Sequence, residues 1–397
     1  MRRVAILGVG NTQFRARWVE KTYLDLAFDA AQAALGDAGL AVADVESVVY
    51  AIYNELFERQ IMPDIYVHGY LGLGLKPSLR VAAGGATGGA AVRAAYAEIA
   101  SGLHEVVMVL GVEKCTDCFD YRTQTATPEV LKTIAFSADM NFETPLGITP
   151  AASYALPVMA HIARYGSPTP RQMALVSVKN HANAMDNPVA QSPKRLTVEE
   201  VLASRLICEP FRFYDNCLYS EGASCLVLAS EEFARRRGRP YAVISGVGAA
   251  TDDPHAGMRD DLSELASSRV AGEAAYRMAG IADPLRELDF AELHDAFTAA
   301  EILSYEAFRF CAPGDGGRLI EEGVTTMTGR LPVNPSGGLI GCGHAVGATG
   351  VMQVGEAALQ VTGRAGKRQV PGARRGLVQS IGGPATTWTY AFIVERP

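Results

Sequence analysis

The glycine-rich stretch "NPSGGLIGCGHAVGATG", from Asn334 to Gly350, decides how the rest of the chain is interpreted. Glycine destabilises the interior of helices and strands, so its density here needs a reason. The stretch runs into small residues that predict a helix, and free backbone N–H groups at a helix start can hold an anion or a developing oxyanion. Because His344 lies within the same turn, the stretch predicts a site and not only a loop.

An earlier stretch, "GGATGG" from Gly84 to Gly89, also precedes a small-residue helix. Around the two stretches, strand and helix patterns alternate twice along the 397 residues, which predicts a duplicated α/β unit. We predict an N-terminal half over 1–238, with a more helical capping insertion at about 115–210, and a C-terminal half over 239–397. Two such halves packed face to face would bring matching loops to one cleft.

The bulk composition is that of a soluble globular protein, with 48% hydrophobic and 20% charged residues. The net charge of −7 argues against nucleic-acid binding as the main function, and no apolar run reaches the length of a membrane span. The seven scattered cysteines indicate reduced thiols in a cytoplasmic protein. Cys115 and Cys118 form a single C-x-x-C pair, a weak zinc signal, and we predict no metal site.

The segment "ELHDAF", from Glu292 to Phe297, places His294 just beyond a predicted strand, where ligands often bind in α/β sheets. His294 and His344 are therefore the candidate proton-transfer or oxygen-binding groups. Their alternative role is structural, as polar residues that fix loops. Asn334 and Asp295 are expected to orient their neighbours, and His161 either lines an acyl tunnel or packs on a helix.

In these motifs the chain resembles the thiolase superfamily, above all its sterol-carrier-protein and lipid-transfer-protein types. The resemblance rests on "NPSGGLIGCGHAVGATG" and "HDAF", and on "VAILGVGNTQF", "HIARYG", "NPVAQSP" and "YSEGASCLVLAS" in the same order. It implies the thiolase fold, in which two duplicated α/β halves pack as five α-β-α-β-α layers with a helical capping insertion. It also implies a coenzyme A thioester as substrate and no covalently bound cofactor.

The departures from the family pattern concern its cysteines. Gly85 stands where the resemblance expects the nucleophilic cysteine, and glycine cannot form an acyl-enzyme. Ala296 stands where the sterol-carrier type has its acid/base cysteine, and Ser380 is the counterpart of the cysteine that other thiolases use. Cys342 is the candidate replacement nucleophile, with a small residue in a tight turn as the alternative.

Two histidines and a backbone cradle remain: His344, His294, and the main-chain N–H groups at Gly85 and Gly383. By resemblance to steroid side-chain-cleaving aldolases that lack the cysteine, we expect a non-covalent (retro-)aldol lyase acting on a β-hydroxyacyl-CoA. Those aldolases carry tyrosines where the two histidines lie, so the base and the substrate stay open. The alternatives are an acyltransferase that uses another nucleophile and a non-catalytic acyl-CoA-binding scaffold.

The resemblance also implies partners. We expect a homodimer, and a separate small subunit with a zinc ribbon and an oligonucleotide-binding-type barrel that completes the acyl-CoA site in a heterotetramer. The sequence leaves open the acyl group, whether a steroid-like or aromatic chain is bound, the direction of the reaction and whether the partner is obligate.

Overall fold

The computed structural model describes residues 1–118 and 127–397, and its α/β fold is built on one large sheet. The strands of the described chain are β1 Val4–Asn11, β2 Ser47–Ala51, β3 Ser78–Val81, β4 Val106–Glu113, β5 Leu206–Cys208, β6 Phe211–Arg212, β7 Gly222–Ser230, β8 Ala242–Thr251, β9 Phe290–Glu292, β10 Arg375–Gly382 and β11 Trp388–Glu395. All of them belong to the large sheet except β5 and β6, which pair with each other.

The helices are distributed over both halves and over the region between them. In chain order they are α1 Tyr23–Ala38, α2 Pro63–Tyr70, α3 Thr87–Ser101, α4 Thr127–Ala135, α5 Pro150–Tyr165, α6 Pro170–Ala184, α7 Val198–Ala203, α8 Glu231–Arg237, α9 Ala266–Ala279, α10 Pro284–Glu287, α11 Thr298–Ala307, α12 Gly316–Glu321, α13 Gly338–Cys342 and α14 Val346–Val361. The two predicted small-residue helices are α3 and α14.

The strand order of the sheet is β3-β2-β4-β7-β1-β8-β11-β10-β9, which is mirrored about the junction of β1 and β8. On one side β2 and β4 are parallel, and β7 is antiparallel to both β4 and β1. On the other side β9 and β10 are parallel, and β11 is antiparallel to both β10 and β8. Antiparallel pairing of β1 with β8 joins the two sets. The predicted boundary at 238/239 falls between α8 and β8 and stays a prediction.

The packing of helices on this sheet gives the five layers of the predicted thiolase fold. Helix α1 covers one set of strands and α9 covers the other, while α3 and α14 lie between the sets and contact both. Successive residues of β4 point to opposite faces of the sheet. Val107 and Val109 pack against the central helices α3 and α14, whereas Met108 packs on the side of α1. The central helices approach closely, since a Cβ on Gly88 would lie 2.7 Å from the Gly350 nitrogen.

The predicted capping insertion is helical, with α4 to α7 between β4 and the small β5–β6 hairpin. Residues 119–126 of this insertion lie outside the described residues. Helix α5 starts at a Thr149 N-cap, and α6 starts at a Thr169–Gln172 capping box, so both begin where sequence signals favour a helix start. No helix in the described ranges is both long enough and apolar enough to cross a membrane.

Candidate active site

The two predicted histidine segments meet at one cavity of about 580 Å³. His294 follows the end of β9 by two residues, and His344 precedes α14 by two residues, so each imidazole is placed by the end of a buried element. Their ring centroids are 5.2 Å apart with the rings almost perpendicular. Gly85 and Gly383 line the same cavity, so the structure brings together the four residues predicted to form the site.

The hydrogen bonds of His344 define its tautomer. Its Nδ1 lies 2.9 Å from the Thr349 hydroxyl, which itself donates to the Ala345 carbonyl at 3.0 Å. Because the hydroxyl proton is used on that carbonyl, the hydroxyl oxygen accepts from Nδ1–H. The lone pair of the neutral ring is then on Nε2, and His344 can accept a proton there.

His294 is held mainly through its backbone. Its N–H donates to Oε1 of Gln379 at 3.2 Å, and Gln353 anchors the preceding residue by donating to the Leu293 carbonyl at 3.1 Å. Within the described residues the ring Nδ1 of His294 has no hydrogen-bond partner. The ring is buried, and its Nε2 is directed toward Gly85.

Both imidazoles are neutral at physiological pH. Burial lowers the pKa of His344 to about 4. Burial lowers the pKa of His294 well below its ordinary value, and the nearby His344 lowers it further, whereas the Gln353 side chain acts in the opposite direction. Two neutral rings at this spacing add no net charge to the cavity, and His344 presents its lone pair at Nε2.

The backbone at Gly85 leaves no room for a side chain. A Cβ there would lie 2.6 Å from the Ile381 carbonyl oxygen and 3.3 Å from Nε2 of His294. Gly382 is equally close to this turn, since a Cβ on it would overlap the Ala83 carbonyl oxygen. The turns that carry Gly85 and Gly382 therefore pack backbone against backbone, and the position facing His294 is occupied by main chain.

Asn334 and Asp295 join the two histidine segments from behind the cavity wall. Asn334 adopts a left-handed conformation with φ 55°, and its Oδ1 accepts the Leu293 N–H at 2.7 Å. Asp295 accepts the N–H groups of Leu339 at 2.6 Å and Ile340 at 3.3 Å, at the start of α13. Neither residue lines the cavity, so both orient the segments that do.

Cys342 and Ser380 also lie off the cavity wall. The Cys342 thiol is fully buried beside Nδ2 of Asn187, at 3.6 Å, and burial raises its pKa far above the ordinary value. The Ser380 hydroxyl is buried without a partner in the described chain, against Gly89 and at the start of α14. An acyl group in the cavity reaches neither side chain in this arrangement.

His161 lies inside the capping insertion and not on the cavity wall. Its Nδ1 is 2.8 Å from the Ser263 carbonyl, and its Nε2 is 3.4 Å from a Glu306 carboxylate oxygen. Although burial disfavours the imidazolium, the Glu306 carboxylate raises the pKa of His161. Of its two predicted roles, the structure places it in packing. His255, which was no candidate, lines the cavity instead.

Sequence reasoning missed the segment that lies between the two histidines. The Cys217 N–H donates to the Ala296 carbonyl at 2.9 Å, and Tyr219 pairs with His344. Cys217 is the one of the seven cysteines, all within the described ranges, that lines the cavity. Burial raises the pKa of its thiol to about 12, which keeps it protonated. No spacing in the sequence signals this placement, because it depends on pairing between distant segments.

Comparison with known proteins identifies relatives of the whole chain. Residues 4–232 match the family described as "Thiolase, N-terminal domain", and residues 248–395 match "Thiolase C-terminal domain-like". The acetyl-CoA acetyltransferase of Methanothermobacter thermautotrophicus is 36% identical over 388 residues, 98% of each chain. Sterol carrier protein 2 of Bos taurus is 34% identical and matches 96% of this chain and 70% of its own length.

Among solved structures, one titled "Ltp2-ChsH2(DUF35) aldolase" is similar to the chain with a TM-score of 0.83 and 28% identity. The match covers 99% of this chain and 98% of that one. These similar proteins therefore carry three kinds of name: acetyltransferase, sterol carrier protein and aldolase.

Proposed function

The chain belongs to the thiolase superfamily, in its sterol-carrier-protein type, and we propose that it is a non-covalent lyase of acyl-CoA thioesters. Its reaction is the cleavage of a β-hydroxyacyl-CoA into a ketone or aldehyde and a shorter acyl-CoA, or the reverse addition. The observation that carries this proposal is the main chain packed at Gly85, which leaves no space for a nucleophile opposite His294. A retro-aldol reaction stores no acyl group on the protein, so it needs none.

The first step is removal of the proton from the β-hydroxyl group. His344 is suited to it because its Nε2 carries the lone pair while Thr349 holds Nδ1. A neutral imidazole is the form that accepts a proton, and the low pKa of His344 keeps the ring neutral before substrate binds. Negative charge that develops beside the ring during the reaction favours the imidazolium.

The second step is cleavage of the Cα–Cβ bond. The electrons of the former O–H bond form the carbonyl of the leaving ketone or aldehyde, and the pair of the broken C–C bond passes to the thioester as an enolate. Backbone N–H groups at Gly85 and Gly383 are the donors to the developing oxyanion in this proposal, and the neutral ring of His294 lies beside Gly85. The enolate carbon then takes the proton that His344 removed from the hydroxyl group, which returns the ring to its neutral form, and the shorter acyl-CoA leaves.

The cavity wall supports an apolar, bulky acyl group. Beyond the histidines most of the wall is formed by side chains such as Ile134, Phe136, Tyr154, Phe297 and Trp388. Asp139 and Glu143 also line it, and within the described residues no lysine or arginine does. A flat hydrophobic group such as a steroid-like or aromatic side chain is the class that such a wall accommodates.

The test is to incubate the purified protein with β-hydroxyacyl-CoAs of different side chains and measure the carbonyl product by chromatography with mass detection. His344→Ala and His294→Ala are each expected to lower kcat about 10²- to 10⁴-fold. His104→Ala is the matched control, because His104 pairs with Glu98 away from the cavity. Cleavage that persists in the double variant His294→Ala/His344→Ala would contradict the proposal.

An acyltransferase is the second candidate, and the observation that favours it is the 36% identity to an acetyl-CoA acetyltransferase. Cys217 would be its nucleophile, since it is the thiol on the cavity wall. Its protonated state is unfavourable for attack, because the thiolate is the reactive form. A covalent acyl group on Cys217 after incubation with acetyl-CoA, lost in Cys217→Ala, would establish this alternative.

The assembly is also part of the proposal. Strand β3 is an edge of the sheet, and its Leu79 is exposed. Ile61 and Met62, just before α2, are exposed as well, and Arg80 of β3 contacts Asp64 of α2. An exposed edge with apolar neighbours favours pairing with a second copy, and we expect a homodimer. Light scattering should give twice the chain mass, and Leu79→Asp should shift the protein toward monomer.

A small zinc-ribbon and barrel subunit, which the family resemblance implies, is the proposed second partner. The name "Ltp2-ChsH2(DUF35) aldolase" of a similar solved structure joins two proteins and supports such an association. Co-purification of such a subunit with higher cleavage activity than the dimer alone is the expected result. Full activity of the dimer without it would show that it is not obligate. A cytoplasmic location fits the seven free cysteines.

A further inference from the structure

The loop between β10 and β11 is held in an unfavourable backbone conformation. After Gly383, with φ 80°, both Ala385 (φ 44°) and Thr386 (φ 68°) are left-handed. Left-handed backbone is disfavoured for residues with a Cβ and most of all for a β-branched residue such as threonine. Such a loop persists only where the surrounding groups impose its shape.

A buried arginine supplies most of that restraint. Arg259 donates from Nη2 to the Pro384 carbonyl at 3.2 Å and from Nη1 to the Ala385 carbonyl, and its Nε donates to the Asp253 carbonyl at 2.9 Å. The side chain is only 2% exposed, and Asp252 lies 3.6 Å from it as a counter-charge. The planar guanidinium thus ties two consecutive carbonyls of the loop to the segment after β8.

Two serines restrain the same loop from the flanking helices. The Ala385 N–H donates to the Ser153 hydroxyl on α5 at 2.6 Å, and the Ser267 hydroxyl on α9 donates to the Thr386 carbonyl at 2.8 Å. The loop is therefore fixed between the capping insertion and the C-terminal half. Of the three side chains that hold it, Arg259, Ser153 and Ser267, Arg259 is the charged one.

The fixed loop carries one wall of the cavity. Gly383 lines it, and a Cβ on Gly84 would lie 2.9 Å from the Gly383 nitrogen, so the two glycine turns face each other at contact distance. We propose that Arg259 is a positioning residue that holds the left-handed loop so that Gly383 stays opposite Gly85 for a thioester oxygen. This inference rests on the proposed function for the oxygen it serves, but the restraint on the loop is independent of the reaction.

The experiment compares Arg259→Met and Arg259→Lys with wild type and with Arg269→Met, a half-exposed arginine that pairs with Glu264. We expect kcat to fall about 10²-fold in Arg259→Met with KM changed less than threefold, because an oxyanion donor acts mainly in the transition state. The kcat of Arg259→Lys should lie between those of wild type and Arg259→Met, because a single ammonium group cannot donate to both loop carbonyls in the geometry of the planar guanidinium. Amide hydrogen exchange over residues 383–387 should become at least tenfold faster in both variants and stay unchanged in Arg269→Met.

A second substitution keeps the inference testable if Arg259→Met is unstable. Ala385→Gly removes the conformational penalty at that residue, so it should restore exchange protection and at least part of kcat in the Arg259→Met background. Unchanged exchange and unchanged kcat in Arg259→Met would overturn the inference while leaving the lyase proposal intact. If the wild-type protein cleaves no β-hydroxyacyl-CoA but amide exchange over residues 383–387 responds to the Arg259 variants as expected, the proposed function is wrong. The conclusion that Arg259 restrains the loop then still holds.

Discussion

Substitution of Gly85 tests whether the cavity is built without a nucleophile. The Cβ of an alanine there would lie 2.6 Å from the Ile381 carbonyl oxygen, well inside van der Waals distance, and Ile381 is a buried residue of β10 that cannot move freely. Overpacking of this kind costs about 1–3 kcal/mol. We therefore expect Gly85→Ala to lower the free energy of unfolding by that amount and to lower kcat sharply, because the methyl group would crowd His294.

The assay is urea unfolding followed by circular dichroism, with cleavage of a β-hydroxyacyl-CoA measured on the same preparations. Gly36→Ala is the matched control: it lies in α1, and a Cβ there meets nothing within 4 Å. That change should be neutral or stabilising by up to about 1 kcal/mol. A Gly85→Cys variant as stable as wild type that gains a covalent acyl group would refute the steric reasoning.

Three further predictions concern the histidines and the cavity thiol. First, below pH 6.5 the unfolded chain protonates His344, whereas the fold keeps this ring neutral down to about pH 4. The free energy of unfolding should therefore fall between pH 6.5 and about pH 4, by about 3 kcal/mol or less. Urea unfolding at several pH values should show a smaller loss in His344→Gln. Second, Thr349→Val removes the acceptor of the Nδ1–H of His344, a hydrogen bond worth about 1 kcal/mol, and should lower kcat about fivefold without raising KM. An unchanged kcat would contradict the assigned tautomer. Third, iodoacetamide labelling of Cys217, followed by peptide mass spectrometry, should be slow at pH 7.5 and rise about tenfold per pH unit; fast labelling at pH 7 would contradict the raised pKa of this thiol.

The fold could be predicted largely because its signals are local. The small-residue helices α3 and α14, the apolar strands and the N-caps of α5 and α6 all lie within a few residues of the pattern that predicts them. The short edge strand β3 is missed by the sequence patterns, because it has only four residues and lies exposed at the edge of the sheet. The continuous pairing of β1 with β8 depends on how the two halves meet, which no local pattern encodes.

The residues of the site also fall into those with a local sequence signal and those placed by contacts between distant segments. His294, His344 and Gly85 belong to motifs and lie together at the cavity. Cys217 reaches the cavity wall, and Arg259 contacts the loop that forms part of that wall, only through contacts between distant segments. Cys342 shows the converse: it is two residues from His344 in sequence, yet the short helix α13 turns its side chain into the core. Proximity to His344 in the sequence therefore does not bring the Cys342 thiol to the cavity wall, because side-chain direction follows from the helix and not from the spacing.

The measurement that tests the central claim most directly is turnover of a β-hydroxyacyl-CoA in the absence of free coenzyme A, with acid-quenched intact mass spectrometry of the protein. A lyase without a covalent step should release the ketone or aldehyde and the shorter acyl-CoA in equal amounts while the protein mass stays that of the unmodified chain. An acyl adduct on the protein during turnover, or product formation that requires added coenzyme A, would contradict the account.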